Sequence, residues 1–320
     1  MNLDLKDRKI LYQLDINSRQ PNSVIGKKVG LSKEVVKYRI NRLKKLGIIK
    51  NFITVLNDYS LDYHTYRIYI KFRDLSHIKE ERIVNYLKNK VKWLVKTRGN
   101  WSFCFTVITK NVLAIEELIN DIKNRFSKDF VKLSFSIITR VYNFQKNFLI
   151  KHKIYKSNYS VMGEVVKKYK ADEIDIKILK ILQDNARINS VDIAELVNSN
   201  NRVVRYRIKR LIKNKVIIGF KVLLNFEKIN YNLYKIHMKY KKFNKGVIKE
   251  IHTYLHNHPN IIRKIDAIGG FDLEFEIIAI NNNELYKTLD DFINQFIGII
   301  EDYHILEYEK KYKLSYLNEI

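Results

Sequence analysis

Cysteine and proline are nearly absent from this 320-residue chain, which contains one cysteine and two prolines. The single thiol, Cys104, excludes an intramolecular disulfide framework and a zinc site built from several cysteines. No run of about 18 apolar residues occurs, so no membrane-spanning helix is predicted. The N-terminal residues also lack the apolar region of a secretion signal. These absences favour a cytoplasmic protein without a resident metal or cofactor.

Acidic residues are also scarce relative to basic ones. The chain has 34 Asp and Glu against 60 Lys and Arg, which gives a formal net charge of +26. Residues 1–160 hold 33 basic and 13 acidic side chains, whereas residues 161–320 hold 27 and 21. Such a charge indicates a polyanionic partner, and double-stranded DNA is favoured over a membrane surface. The alternative is a lysine-rich composition inherited from an AT-rich genome, and charge alone does not decide between them.

An internal repeat organises the chain. The segment LKDRKILYQLDINSR at 5–19 aligns with EIDIKILKILQDNAR at 173–187, and VVKYRINRL at 35–43 aligns with VVRYRIKRL at 203–211. The offset of 168 residues continues without a gap to Phe72 and Tyr240. Further on, TRGNWSFCFTVIT at 97–109 resembles AIGGFDLEFEIIA at 267–279. Each half therefore carries the same two modules in the same order.

The first module of each half has the pattern of a helix-turn-helix unit. Residues 4–16 form an amphipathic helical pattern that Asp4 can cap, and a short second helix is predicted around 24–29. Gly30 supplies the tight turn, and Asn198 stands at the same place in the second half. Ser32 can cap a third helix, whose buried stripe is Val36, Ile40 and Leu43.

The third helix of each unit has a basic face suited to the major groove of DNA. Arg and Asn can pair with base edges, while Lys and further Arg neutralise phosphates. The predicted DNA-binding residues are Ser32, Lys33, Lys37, Tyr38, Arg39, Asn41 and Arg42 in the first unit, and Asn201, Arg202, Arg205, Tyr206, Arg207, Lys209 and Arg210 in the second. Among them, Arg39 and Arg207 lie beside the buried stripe and can reach either a core partner or a phosphate. The alternative is a solvated face on a protein-interaction domain.

At this point the sequence resembles the Lrp/AsnC family of transcription regulators. The resemblance rests on Asp7-x-x-Ile10-Leu11, on Gly30-Leu31-Ser32, on the Val36-x-x-Arg39-Ile40-x-x-Leu43 helix and on Gly47-Ile48-Ile49. The second half departs from this pattern, with Asn198-Ser199-Asn200 at the turn and Lys215 in place of the later glycine. A further departure is the duplication, since family members usually carry one copy and dimerise.

The second module of each half has the strand and helix order βαββαβ, a ferredoxin-like pattern. The strongest strand is YRIYIKF at 66–72, and a hairpin is predicted around Arg98-Gly99-Asn100. In the strand after this hairpin, Trp101 is expected on the same face as Phe103, Phe105 and Val107. The resemblance implies a RAM-type domain here, which in the family pairs sheet to sheet.

The predicted fold class is therefore α+β, with two winged-helix-like helix-turn-helix domains alternating with two RAM-type domains. The predicted boundaries are 1–56 and 172–224 for the helix-turn-helix domains, 57–144 and 225–320 for the RAM-type domains, and 145–171 for a linker or an added strand. The duplication suggests that one chain acts as a pseudo-dimer with two different helix-turn-helix units. We call these DNA-binding units the reading heads. Assembly of such units into homo-oligomers is also compatible with the resemblance.

The resemblance further implies that a small effector, often an amino acid, binds near the hairpin of the RAM-type module. The matching positions are Gly99, Asn100 and Trp101 in the first copy, and Gly269, Gly270, Phe271 and Asp272 in the second. The alternative is that these glycines only close a hairpin.

Motifs of enzymes are missing, so no catalytic residue is predicted: the sequence has no phosphate loop, no His-Glu-x-x-His and no nucleophile elbow. Siroheme decarboxylases share the predicted architecture and are the alternative function. Their histidine near the hairpin is absent at 96–98 and 266–268, and only His237 and His304 on predicted strands keep that alternative open. His252, His256 and His258 cluster on a helix end and are interpreted as a surface cluster.

Overall fold

The computed structural model describes residues 3–150, 159–164, 167–242 and 244–314. Its first unit consists of three helices and a strand: α1 (Leu5–Ile16), α2 (Asn22–Val29), α3 (Lys33–Lys45) and β1 (Ile49–Leu56). The predicted caps are confirmed, because Asp4 accepts a hydrogen bond from the backbone N–H of Asp7 and Ser32 accepts one from Val35. Gly30 has a φ of 69° at the turn between α2 and α3.

The βαββαβ order of the first α/β module is also confirmed. Its elements are β2 (His64–Phe72), α4 (His77–Leu87), β3 (Trp93–Arg98), β4 (Phe103–Thr109), α5 (Leu113–Arg125) and β5 (Phe130–Asn143). Between the two halves, a short strand β6 (Ser160–Met162) pairs with the end of β5. The rest of the predicted linker includes 151–158 and 165–166, which lie outside the described residues.

The second half repeats this order. Its elements are α6 (Glu173–Asp184), α7 (Ser190–Leu196), α8 (Asn201–Lys213), β7 (Ile217–Leu224), β8 (Asn232–Tyr240), α9 (Lys245–Asn257), β9 (Ile261–Ile268), β10 (Leu273–Ala279), α10 (Asn282–Gln295) and β11 (Ile300–Leu314). Asn198 takes the left-handed conformation of Gly30, with a φ of 50°. Lys215 stands in place of Gly47 and also takes the left-handed conformation. Its φ angle is 54°, and that of Gly47 is 68°. The second unit therefore keeps both turns without the glycines.

The two α/β modules close into one barrel. Each module forms a four-stranded sheet, with the order β3-β4-β2-β5 in the first and β9-β10-β8-β11 in the second. The long last strands join the sheets, because β5 pairs with β9 and β11 pairs with β3. The eight strands thus form a closed antiparallel ring with a pseudo-two-fold relation between its halves. Closure leaves these strands with no open edge, which removes a surface prone to aggregation.

The two helix-turn-helix units are joined by a second, smaller sheet. β1 and β7 pair antiparallel from Ile49 opposite Leu224 to Leu56 opposite Ile217. The link is reciprocal: the Ser18 N–H donates to the Phe220 carbonyl, and the Ala186 N–H donates to the Phe52 carbonyl. We call β1 and β7 together the ribbon. It makes the two units one body.

Two equivalent arginines fasten this body from both sides. The Arg19 guanidinium donates to the carbonyls of Ala186 at 2.6 Å and Ile188 at 2.9 Å. The Arg187 guanidinium donates in return to the carbonyl of Ser18 and to the side chain of Asn22. Hydrogen bonds from a charged donor contribute about 1.5–3 kcal/mol each. The repeat identifies Arg19 and Arg187 as a matched pair, and the structure explains why both halves carry this residue.

Apolar residues fill the space between each sheet and its helices, whereas the interior of the barrel contains buried charged groups beside small apolar clusters. Lys235 and Glu274 form an ion pair of 2.7 Å there, with neither side chain exposed. Tyr69 donates to Glu274 and lies 2.9 Å from the Nε2 atom of His237. Burial lowers the pKa of His237 to about 3, so its ring is neutral. Buried charges of this kind are tolerated only when they are paired.

The expected position of Trp101 is wrong. Trp101 packs with Tyr69 and Cys104 inside the barrel, whereas Phe103 and Phe105 pack on the opposite face against the helices. The alternation of a strand holds only within the strand, and β4 begins at Phe103. Gly99, with a φ of 110°, turns the chain before that point, so Trp101 does not follow the alternation.

Candidate nucleic-acid interface

The outer face of α3 carries the side chains expected of a reading head. Lys33, Lys37 and Asn41 are exposed, and Tyr38 is 67% exposed. Ser32, at the N-cap, is exposed as well. The buried stripe of Val36, Ile40 and Leu43 is confirmed. The same helix therefore anchors itself in the core with one face and presents basic and hydrogen-bonding groups to the solvent with the other.

The outer face of α8 is also basic and exposed, but its side chains differ from those of α3. Arg202, Arg205 and Lys209 are exposed, Tyr206 is 64% exposed, and Asn201 is half-buried at the start of the helix. By the 168-residue offset, Tyr206 is the equivalent of Tyr38 and Arg205 the equivalent of Lys37. The two helices thus present similar but unequal faces.

The remaining four arginines of the two helices are held by aspartates at the N-terminal ends of α1 and α6. Arg39 contacts Asp4 at 2.6 Å and Asp7 at 2.8 Å, and Arg42 also pairs with Asp7. The side chain of Asp7 is only 2% exposed. Arg42, expected on the exposed face, is half-buried because this carboxylate draws it inward.

The second unit repeats these ion pairs. Arg207 contacts Asp172 at 2.6 Å and Asp175 at 3.0 Å, while Arg210 contacts Asp175 at 2.8 Å. The hydrogen bonds between Arg207 and Asp172 lower the pKa of the carboxyl group and raise that of the guanidinium. Arg210 is half-buried like Arg42. These four arginines hold α3 and α8 in place through ion pairs within each unit.

The first hairpin borders an open groove of about 550 Å³. Gly99 and Trp101 line it together with Lys71, Asp74 and Arg98. Trp101 is 7% exposed, and its indole Nε1 has no hydrogen-bond partner among the described residues. Asn100 is exposed beside the groove but is not part of its lining. The groove can admit a small molecule with polar groups.

The second hairpin is engaged in packing. Gly269 and Gly270 have positive φ angles, and a Cβ atom on Gly270 would lie 2.6 Å from the hydroxyl of Ser136. Phe271 stacks on His237 with 4.1 Å between the ring centroids. Asp272 accepts a hydrogen bond of 3.0 Å from the Tyr240 N–H. The close approach to β5 explains both glycines by structure alone.

The histidines singled out in the sequence do not form a metal site. Within the described residues, no group of three or more His, Cys, Asp or Glu side chains has the geometry to hold a metal ion. His252 and His256 stack on each other and pack against Phe144. His237 and His304 do lie on strands, β8 and β11, as expected. In the same part of the chain, no helix is both long and apolar enough to cross a membrane.

Comparison with protein families defines the class of the two helical units. Residues 3–44 match the AsnC-type helix-turn-helix domain, and residues 172–218 match the winged helix-turn-helix DNA-binding family. The first match falls on the first copy of the repeat described above, and the second match falls on the second copy. The chain is thus a tandem helix-turn-helix protein.

Curated relatives identify the family. An uncharacterised HTH-type transcriptional regulator of Pyrococcus abyssi is 32% identical over 128 residues, which are 40% of this chain and 83% of that protein. The HTH-type transcriptional regulator FL11 of Pyrococcus furiosus is 29% identical over 130 residues, 41% of this chain and 82% of that protein. The chain belongs to the Lrp/AsnC family of transcription regulators, and each relative corresponds in length to about one of its halves.

A solved structure resembles the whole chain in its fold. The siroheme decarboxylase NirDL superposes with a TM-score of 0.64 at 14% identity, covering 97% of this chain and 93% of that one. A likeness at this identity extends to the fold and does not extend to the activity. The two relatives named above are HTH-type transcriptional regulators.

Proposed function

We propose that this chain regulates transcription in the cytoplasm by binding double-stranded DNA as a single-chain pseudo-dimer. The observation that carries the proposal is the fusion of two reading heads into one body by the ribbon and by Arg19 and Arg187. Proteins with two such heads read two half-sites about one helical turn apart or a multiple of it. Assembly of several pseudo-dimers remains a prediction, for which light scattering is the measurement.

The two heads are not equivalent, so we propose that the two half-sites differ. Glu34 on α3 corresponds to Arg202 on α8, which reverses the charge at one exposed position. Lys33 corresponds to the half-buried Asn201, and Asn41 corresponds to Lys209. A homodimer must present identical heads and therefore prefers a near-palindrome, whereas this chain has no such constraint.

Selection of bound duplexes from a random pool should recover an asymmetric target. We expect two different half-sites whose centres are about 10 base pairs, or a multiple of that, apart. A matched control is the variant Lys33→Asn, Glu34→Arg, Lys37→Arg and Asn41→Lys, which gives α3 the residues of α8 at these four positions. Selection with this variant should yield a target much closer to a palindrome. Recovery of a perfect palindrome by the natural chain would show that two chains pair through equivalent heads.

We also propose that the hairpins of the α/β modules form an effector site for a free amino acid. The groove beside Gly99 and Trp101 supports this for the first copy, where the exposed Arg98 lines the groove while its Nε donates to Glu309 at 3.1 Å. For the second copy, the residues in question are Gly269, Gly270, Phe271 and Asp272. One oxygen of Asp272 is already bonded to the Tyr240 N–H, which leaves the other for an ammonium group.

A thermal-shift screen of the twenty amino acids should identify at least one that raises the melting temperature, because a ligand bound only to the folded state stabilises it. Arg98→Ala should abolish this shift if the ligand lies in the first groove, and Asp272→Asn should abolish it if the ligand lies at the second hairpin. Absence of any shift at millimolar concentration would contradict the effector proposal and leave the glycines with a structural role.

A further inference from the structure

A cavity of about 190 Å³ lies at one end of the barrel, beneath the ribbon. Its walls come from both halves of the chain, including Val55 of β1, Val222 of β7, and residues of β2, β3, β9 and β11. It is distinct from the hairpin groove, with which it shares no lining residue. We call it the ribbon cavity. Its position means that an occupant would contact the unit that holds the reading heads and the barrel at the same time.

Basic side chains dominate the polar part of the ribbon cavity. Six of them line it: Arg67, Lys92, Lys146, Lys221, Arg263 and Lys311. Only two carboxylates, Asp58 and Glu276, belong to the same lining. A concentration of one charge sign in a partly enclosed space attracts a ligand of the opposite sign.

Four of the six basic groups have carboxylate partners. Lys92 pairs with Asp58 at 2.9 Å, and Arg263 pairs with Glu276 at 2.8 Å. Lys146 and Lys221 share the fully buried Asp15 behind the wall. Burial raises the pKa of Asp15, but the two lysines outweigh it and hold that pKa below its ordinary value. Each of these four basic groups therefore has a carboxylate partner within the protein, although Asp15 serves two of them.

Arg67 and Lys311 are the two basic residues of the ribbon cavity that form no ion pair with a carboxylate of the described residues. Arg67 is 8% exposed, and its Nε and Nη1 atoms have no hydrogen-bond partner among the described residues. Its guanidinium lies 5.2 Å from the centre of the Trp93 ring. A buried guanidinium without acceptors is costly, and a planar carboxylate is the group that fits its donors best.

Lys311 forms no ion pair with any described residue, although it faces the same cavity. The Lys311 side chain is exposed to solvent, and the protein atoms around its ammonium group still desolvate it enough to lower its pKa to about 8. The group is therefore mainly charged at neutral pH. A second anionic group in the cavity would compensate it.

The apolar walls define the rest of the occupant. Val55, Leu224, Phe144 and Ile262 contribute hydrophobic surface between the charged groups. We propose that the ribbon cavity binds a small organic dicarboxylate, with one carboxylate on Arg67, the other near Lys311, and a short carbon chain between them. This inference goes beyond the proposed function, since neither DNA binding nor the amino-acid effector requires it.

Isothermal titration calorimetry of the full chain tests the proposal, with succinate, 2-oxoglutarate and adipate as probes and succinamide as the uncharged control. We expect saturable binding of at least one dicarboxylate and none of succinamide. Arg67→Gln should weaken the binding at least about tenfold, because it removes hydrogen bonds to a charged group. Lys311→Gln should weaken it as well, whereas Lys310→Gln should not, because Lys310 is the neighbouring lysine on β11 and does not line the cavity.

Two results would overturn the proposal. One is the absence of binding by all three dicarboxylates to a chain that circular dichroism shows to be folded. The other is binding that Arg67→Gln leaves unchanged, or that succinamide reproduces. Retention of DNA binding by Arg67→Gln separates this site from the reading heads, so the failure of one proposal is distinguishable from the failure of the other.

Discussion

Replacing Lys37, Tyr38, Arg205 and Tyr206 with alanine is expected to reduce DNA affinity by about two orders of magnitude or more. These side chains are the exposed residues of α3 and α8 at equivalent positions of the repeat. Each contact to a base edge or phosphate contributes on the order of 1–3 kcal/mol, so four of them together have a large effect. Fluorescence anisotropy with a duplex from the selection experiment measures the change.

The salt dependence of the same variant should change in a defined direction. Each phosphate contact adds about 0.9 to the slope of log affinity against log salt, so losing Lys37 and Arg205 should make the slope shallower by up to about 2. A control that removes the same charge elsewhere is Lys123→Ala with Lys287→Ala, on the exposed faces of α5 and α10. This control should bind as the natural chain does. Equal loss in both variants would mean that the net charge of the chain, and not the reading heads, accounts for binding.

Asp175→Ala is expected to lower the free energy of unfolding by about 1–3 kcal/mol, because it removes the buried carboxylate that Arg207 and Arg210 share and leaves Arg207 with Asp172 alone. The Asp175 carboxylate is fully buried and receives hydrogen bonds from Arg207, Arg210 and the hydroxyl of Tyr169. Urea unfolding followed by far-ultraviolet circular dichroism measures the loss.

Glu173→Ala is the matched control for that experiment. Glu173 is an exposed acidic residue in the first turn of the same helix, and its removal should change stability by no more than about 0.5 kcal/mol. If the two variants lose similar stability, the ion pairs around Asp175 are not what positions α8. Asp7→Ala should behave like Asp175→Ala, since Asp7 occupies the equivalent place in the first unit.

Local features of the fold follow from the sequence, because they depend on residues close together in the chain. Asp4 and Ser32 are helix caps, and Gly30 and Asn198 take the left-handed turn, as their chemistry predicts. Lys215 shows the limit of this reasoning. Nothing in a lysine favours a φ of 54°, and only the repeat, which aligns it with Gly47, signals that turn.

Closure of the barrel could not be predicted from residues that are close together in the chain. The pairs β5–β9 and β3–β11 join strands from different halves, and the alternation within a strand does not reveal which partner it will meet. The inward position of Arg42 and Arg210 has a related cause, since it depends on carboxylates more than 30 residues away in the chain.

Arg67 was not predicted as a site residue for the same reason, although the sequence pattern around it indicates which face of the sheet it occupies. In YRIYIKF, alternation puts Arg67 and Tyr69 on the face opposite to Ile68 and Ile70. A single module would expose that face, and a charged residue there would need no explanation. The second module covers it, so Arg67 becomes buried and faces the ribbon cavity.

The covalent link between the two halves has a consequence for gene control. A regulator that assembles from separate subunits occupies its operator with a steep dependence on its own abundance, because dimer formation is second order. Here the β1–β7 pairing is intramolecular, so the complete reading unit exists at any dilution. For a unit that binds as a single chain, we expect operator occupancy to rise in simple proportion at low dosage, with a Hill coefficient of about one. Fusion thus exchanges a threshold response for a graded one.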